Sequence, residues 1–226
     1  MPITWHSNGQ VPEAIARAAE LRQPLFVDFW DPTCSGCAKL LAVTYQDESV
    51  QSFLKRSFIC VKYNTSRPDE HFRRLNSAFA HLWHPDLVVF DHHLKETRRV
   101  IGYLPPAELI AQLSIGAALV HLYQRRPDAA LGILQGIAGG SVSEDVLAEA
   151  LYWAGVAAYR VSKNFEDLTR RWNAIAQRYP SSSWALRADC LDVEIPETGF
   201  DDADPSSVRL RLSKDKVETL NEVSHA

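Results

Sequence analysis

An apolar run, Leu25 to Trp30, ends in a short turn that carries Cys34 and Cys37 and leads directly into Ala38-Lys-Leu-Leu-Ala42, which reads as a helix. A strand, a thiol pair and a helix in that order constrain the chain more than any other feature. Leu25, Val27 and Phe29 alternate with Phe26, Asp28 and Trp30, so both faces of the strand are apolar except at Asp28. That pattern fits a central strand covered on both sides. Cys34 stands at the helix start, where unsatisfied backbone N–H groups and the helix dipole favour a thiolate. Cys37 lies one turn on, within reach of a disulfide. A Cys-x-x-Cys pair is also half of many zinc sites, but between a strand and a helix it points to redox chemistry. Asp28 is costly inside such a strand unless it has a task or a partner.

Val27-Asp28-Phe29-Trp30 followed by the cysteine pair resembles the thioredoxin superfamily, and the resemblance continues in order. Phe58-Ile-Cys-Val-Lys-Tyr63 resembles the next parallel strand. His84-Pro85 before Asp86-Leu-Val-Val-Phe90 resembles the cis-proline loop and the strand after it. Val100-Ile-Gly102 resembles the last strand and its glycine. Trp5, the amphipathic stretch from Val11 to Leu21 and the break Thr44-Tyr-Gln-Asp-Glu-Ser-Val50 are similar to the larger thioredoxin-like domains, such as the C-terminal domain of the membrane disulfide-interchange reductases.

The resemblance implies an α/β thioredoxin-like fold, a central mixed sheet flanked by helices, over residues 1–113. It implies that Cys34 attacks a substrate disulfide, that Cys37 resolves the mixed disulfide and that Asp28 helps move the proton. Thr33, His84 and Pro85 are its implied substrate contacts. Trp30 is a fourth, equally readable as plain core. No cofactor or metal is required, because the dithiol carries the electrons. The implied partners are protein disulfides and an electron donor. Two departures bear on redox poise. Thr33 stands where a tryptophan is expected before the first cysteine, and Ser35-Gly36 replaces Gly-Pro between the cysteines, removing the stiffening that proline gives.

Bulk properties narrow the class. A chain of 226 residues suits one or two domains with a proper core. A net charge of −4 with mixed signs argues against nucleic acid as the main partner. The start, Met-Pro-Ile-Thr-Trp-His, does not read as a signal peptide, so a cytoplasmic location is expected, with the periplasm open if a leader has been removed. The apolar stretch Leu109–Tyr123 is interrupted and shorter than the about 20 residues a membrane span needs, so no membrane insertion is expected. Cys60, in an apolar strand, and Cys190, in a late helical segment, read as idle thiols.

The chain changes character near residue 114. After it, Ile115–Tyr123, Asp128–Ile137, Asp145–Tyr159 and Phe165–Tyr179 show helical spacing. Gly116 and Gly155 are 39 apart and Ile137 and Ile175 are 38 apart, close to the period of helix-turn-helix repeats. Residues 114–192 therefore read as a helical domain resembling tetratricopeptide repeats, a surface for a client peptide or partner. Residues 193–226 read as an acidic, breaker-rich tail with a short extended stretch at Val208–Leu212 and a short helix after Ser213.

His81, His84, His92 and His93 surround the proposed cis-proline loop. With the cysteine pair they have zinc-ligand chemistry at looser spacing than zinc sites use, and His92-His93 reads as a solvated hairpin turn. The sequence reading is a thiol–disulfide oxidoreductase. Its rival is an interaction protein with a thioredoxin-like scaffold and a vestigial or regulatory dithiol.

Overall fold

In the computed structural model, which describes residues 3–70, 82–137, 139–194 and 208–210, Leu25–Trp30 is a strand, β2, at the centre of a five-stranded sheet. The sheet order is β1-β3-β2-β4-β5, with β1 at Trp5–His6, β3 at Ile59–Asn64, β4 at Asp86–Phe90 and β5 at Glu96–Ile101. Strands β1, β3 and β2 run parallel, and β4 and β5 are antiparallel to their neighbours, giving the mixed sheet that the resemblance implies.

Alternation along β2 divides the core into two layers. Leu25, Val27 and Phe29 pack with Val61, Tyr63, Val88 and Phe90 under helix α1, Val11–Leu21. Phe26 faces the opposite layer, which also holds Leu40 of helix α2 (Ser35–Ala42), Leu54 of helix α3 (Glu48–Ser57) and Leu109 and Leu113 of helix α4 (Pro106–Tyr123). Asp28 shares the Phe26 side, so the carboxylate is carried into the layer beneath α2. A break at Thr44–Gln46 separates α2 from α3 and places Tyr45 in that same layer.

Helix α4 begins at Pro106, a residue suited to a first helical turn. Every residue from Ala111 to Ala118 is buried, so this stretch shows no single apolar stripe. Leu109, Leu113 and Val120 join the sheet core, while Ala111, Ile115, Ala118 and Leu122 join the helical core. Ile115–Tyr123, read from its spacing as the start of a separate helical domain, is thus the second half of this helix, and residues 113 and 114 fall inside it. Gly116 lets it approach the sheet: a Cβ there would stand 2.8 Å from Arg98 Cβ and 2.9 Å from Val89 Cγ2.

Helices α5 (Pro127–Gln135), α6 (Glu144–Ser162), α7 (Phe165–Arg178) and α8 (Ser183–Ala188) follow. Gly155 of α6 lets Trp172 of α7 sit close, and the Trp172 indole N–H donates to the Tyr152 carbonyl at 3.1 Å. Tyr152, Trp172 and Trp184 form an aromatic core, Tyr152 stacking on Trp172 at 4.4 Å between centroids. Arg98 of β5 ties this half to the sheet, pairing with Glu149 of α6 at 2.5 Å and donating to Gln112 of α4 at 2.9 Å. Among the described residues no helix is long and apolar enough to cross a membrane. In the tail, Val193–Glu194 pairs antiparallel with Arg209–Leu210, so two of the residues read as extended form a strand. The expected acidic loop and final helix fall on residues 195–207 and 211–226, outside the described residues.

Candidate active site

Residue by residue, the turn from β2 into α2 is built to present Cys34. Asp31 accepts hydrogen bonds from both the backbone N–H and the hydroxyl of Thr33, which hold its carboxyl below the usual range. The Cys34 N–H donates to the Asp31 carbonyl at 3.1 Å, closing the turn. Cys34 is then the N-cap of α2, and its sulfur accepts the Cys37 backbone N–H at 3.1 Å. A sulfur that meets a helix-start N–H is placed where negative charge is favoured. All four cysteines are free thiols.

Cys34 and Cys37 lie close together but differ in access. Cys34 lines an open cleft of about 460 Å³ with Asp31, Thr33, Ser35, Gly36, Trp83 and His84, whereas Cys37 is buried. Burial is the main reason the Cys37 thiol is pushed up to about 12, with its contact to Cys34 next. Cys34 is thus the more accessible of the two sulfurs, and the buried one gives up its proton reluctantly.

The His84–Pro85 peptide bond is cis, as the loop before β4 led us to expect. Pro85 lies against the cysteine turn: a Cβ on Gly36 would stand 2.9 Å from Pro85 Cδ and 3.8 Å from Cys34 Sγ. Gly36 is therefore a close-approach position, and any side chain there forces the proline loop away from the thiols. The Pro85 carbonyl accepts the Gly102 N–H at 2.8 Å, anchoring the loop to the end of β5, where Gly102 takes a φ of +105°. His84 Nε2 is 2.7 Å from Thr65 Oγ1, whose hydroxyl donates to the Trp30 carbonyl at 3.1 Å. With that hydroxyl proton committed, Nε2 is the donor of the pair, which fixes the imidazole tautomer if the ring is neutral.

Asp28 lies below, 1% exposed. Its Oδ2 accepts the Tyr45 hydroxyl at 3.0 Å and stands 3.8 Å from Lys62 Nζ, while Oδ1 has no hydrogen-bond partner among the described residues. Desolvation pushes the carboxyl up to about 6, opposed by Lys62 and the Tyr45 bond. Its charge also weighs on Cys37. The sequence leads one to expect an acid uncharged or nearly so at neutral pH. Burial raises the carboxyl in the expected direction, and Lys62 and Tyr45 are the groups that limit the rise to about 6. Both partners escape the sequence reading. Lys62 faces Asp28 only because β2 and β3 pair in the register Asp28↔Lys62. The visible trace of it was a lone lysine inside an apolar strand.

The predicted contact residues divide. Thr33 and His84 line the cleft with Cys34, and Pro85 backs it through Gly36. Trp30 is half-buried and outside the lining; Lys62 lies over its ring at 5.3 Å. Trp83, exposed on the cleft, was not singled out, although its place beside His84-Pro85 would have marked it. The histidines do not gather. His92 and His93 lie against each other, tilted, in the hairpin turn after β4, while His84 precedes that strand, about 17 Å away by strand rise. His81 lies outside the described residues. Among the described residues no group of three or more His, Cys, Asp or Glu is arranged to hold a metal ion.

Residues 11–115 match the family model described as a thioredoxin-like domain. Similar solved structures include the DsbH oxidoreductase, 19% identical with a TM-score of 0.43 over 52% of this chain and 85% of that one. A thioredoxin from Thermus thermophilus is 22% identical with a TM-score of 0.43, over 50% of this chain and 85% of that one. The oxidised C-terminal domain of DsbD from Neisseria meningitidis is 13% identical with a TM-score of 0.39, over 56% and 98%. No curated protein matches the chain. Residues 11–115 thus match a thioredoxin-like domain, and with the mixed sheet order and the cysteine pair between β2 and α2 this part of the chain has a thioredoxin-like fold.

Proposed function

We propose that the protein is a thiol–disulfide oxidoreductase that reduces or exchanges protein disulfides through Cys34 and Cys37. The observation that carries this reading is the division of access between the two sulfurs, one capping α2 in an open cleft and the other buried a turn below. Cys34 thiolate attacks one sulfur of a substrate disulfide, forming a Cys34–substrate disulfide and releasing the other substrate sulfur as a thiolate. Cys37 then attacks Cys34 sulfur, the Cys34–Cys37 disulfide forms, and the second substrate thiolate leaves. Substrate is reduced by two electrons and the protein is oxidised by two. An external dithiol reductant restores the pair.

Cys37 needs a base for its step, since its thiol is pushed up to about 12. Asp28, largely ionised at pH 7 and close enough to act on Cys37, is that base in this account. Thr33, His84, Pro85 and Trp83 shape the cleft in which the substrate strand lies, and α5–α8 recognise the client or the electron donor.

Reduction of a model protein disulfide by the full chain tests the reading. Wild type turns over, Cys34→Ser is inactive, and Cys37→Ser accumulates a mixed disulfide with the substrate. Equal inertness of all three would leave the thioredoxin-like half as a scaffold.

A further inference from the structure

Among the described residues, no lysine or arginine lines the cleft that holds Cys34, and its only carboxylate is Asp31. Asp31 Oδ1 accepts the Thr33 N–H at 2.8 Å and also the Thr33 hydroxyl. These bonds favour the ionised form and hold the carboxyl below its usual range, with His84 the weakest influence on it. Both bonds fall on one oxygen. Oδ2 makes no hydrogen bond or ion pair among the described residues, so the turn that presents Cys34 uses half of this carboxylate and leaves the other half facing solvent.

Trp83 stands in the same lining and is 70% exposed. Single exposed apolar side chains are ordinary on a protein surface. An indole in the wall of the cleft that holds the nucleophile is different, because a substrate that reaches Cys34 lies against it. The indole alone would suit an apolar or a cationic side chain equally. Asp31 decides between them. An apolar group laid beside it would strip water from a charge and return nothing, whereas a cation meets both the carboxylate and the indole face.

We propose that the cleft selects protein disulfides that carry an arginine or lysine beside the cysteine attacked by Cys34, the cation pairing with Asp31 Oδ2 and lying over Trp83. This names the substrate class of the exchange reaction and rests on that reading of the dithiol. Anionic disulfides are disfavoured by the same carboxylate. The exchange step itself is unchanged: Asp31 and Trp83 bind the flanking residue and take no part in breaking or forming sulfur bonds.

The test uses the full chain and three disulfide-bridged peptides of one sequence, with arginine, alanine or glutamate beside the bridging cysteine. Each rate is divided by the same peptide's rate with dithiothreitol, which removes intrinsic reactivity. The expected order of kcat/KM is arginine, alanine, glutamate, with about tenfold between the extremes at low ionic strength and little difference in about 1 M salt. Asp31→Asn keeps the acceptor for Thr33 and removes the charge, and should bring the extremes within about twofold. Trp83→Ala should slow the arginine peptide more than the alanine peptide. Glu166→Gln, exposed on α7, should leave the order unchanged. Binding without chemistry is read in parallel, from the Trp83 indole N–H signal of Cys34→Ser protein titrated with the same peptides carrying serine for cysteine. Tighter binding of the arginine peptide is expected. Turnover with no charge preference would overturn the proposal and leave the oxidoreductase reading standing. Charge-selective binding with no turnover of any peptide would support the preference of the cleft and remove the oxidoreductase reading. Equal binding of all three peptides, or a preference that survives in folded Asp31→Asn protein, would overturn the proposal.

Discussion

Beneath the dithiol, Asp28 is enclosed by the sheet core with an ammonium group at 3.8 Å, one tyrosine hydroxyl and a carboxylate oxygen that has no partner among the described residues. At the seam between sheet and helices, Glu149 is also buried, but there the Arg98 guanidinium stands at 2.5 Å and the Trp153 indole N–H donates at 3.3 Å. The two acids meet the same physical problem, loss of water around a charge, and receive different answers. The seam acid is clasped directly by an arginine that also holds Gln112 of α4, so its charge fastens three elements. The acid below the thiols is compensated only in part, and burial leaves it titrating at about 6. Incomplete compensation is what keeps a proton exchangeable near neutral pH, and such groups cluster where chemistry is done.

Breaking the seam should have the largest effect on stability. Arg98→Met leaves Glu149 buried without its cation, and such a deletion costs about 3–5 kcal/mol. Denaturant unfolding should show that loss, while disulfide exchange per folded molecule stays near wild type. A comparable loss of exchange at full stability would mean that the seam acts on the dithiol.

Asp28→Asn should move stability the other way. An acid raised from 3.8 to about 6 binds more protons folded than unfolded across that window, so stability falls as pH rises through it. At pH 7 the amide should therefore be more stable by about 2–3 kcal/mol, with the difference closing below about pH 4. Its resolving step should slow by on the order of a hundredfold, and single-turnover kinetics would show the mixed disulfide persisting. Unchanged resolution would remove Asp28 from the proton path.

The smallest effect sharpens the same contrast. Tyr45→Phe removes one of the two groups holding the Asp28 carboxyl down, at about 1 kcal/mol. The pH midpoint of the resolving step should move upward, and Lys62→Met should move it in the same direction. A downward move would contradict the assignment of that midpoint to Asp28.

What could be read before the structure follows from how local each feature is. The strand, the capping cysteine and the cis peptide at Pro85 rest on adjacent residues, and the alternation around Asp28 already announced a buried acid. Tyr45 and Lys62 are its partners only through a helix break and a strand register. A slip of one residue would put Val61 or Tyr63 opposite Asp28 instead of Lys62. Hence the alternation along β2 announces the burial of Asp28 but not the two groups that limit its pKa rise. The continuity of α4 was hidden for a related reason. A helical stretch buried throughout has no single apolar stripe, so nothing in its pattern distinguishes one helix through Ser114 from two. Trp83 could have been marked by its place beside His84-Pro85, but its exposure on the cleft is a tertiary fact.

The central claim is that Cys34 and Cys37, and not the other thiols, form the working redox pair. Equilibrating the full chain across a series of glutathione redox buffers, alkylating the remaining thiols and mapping them by mass spectrometry tests it directly. The account predicts a single two-electron transition in which Cys34 and Cys37 lose reactivity together as an intramolecular disulfide, while Cys60 and Cys190 stay outside it. Failure of a Cys34–Cys37 disulfide to form at any potential, or oxidation passing instead through Cys60 or Cys190, would contradict it.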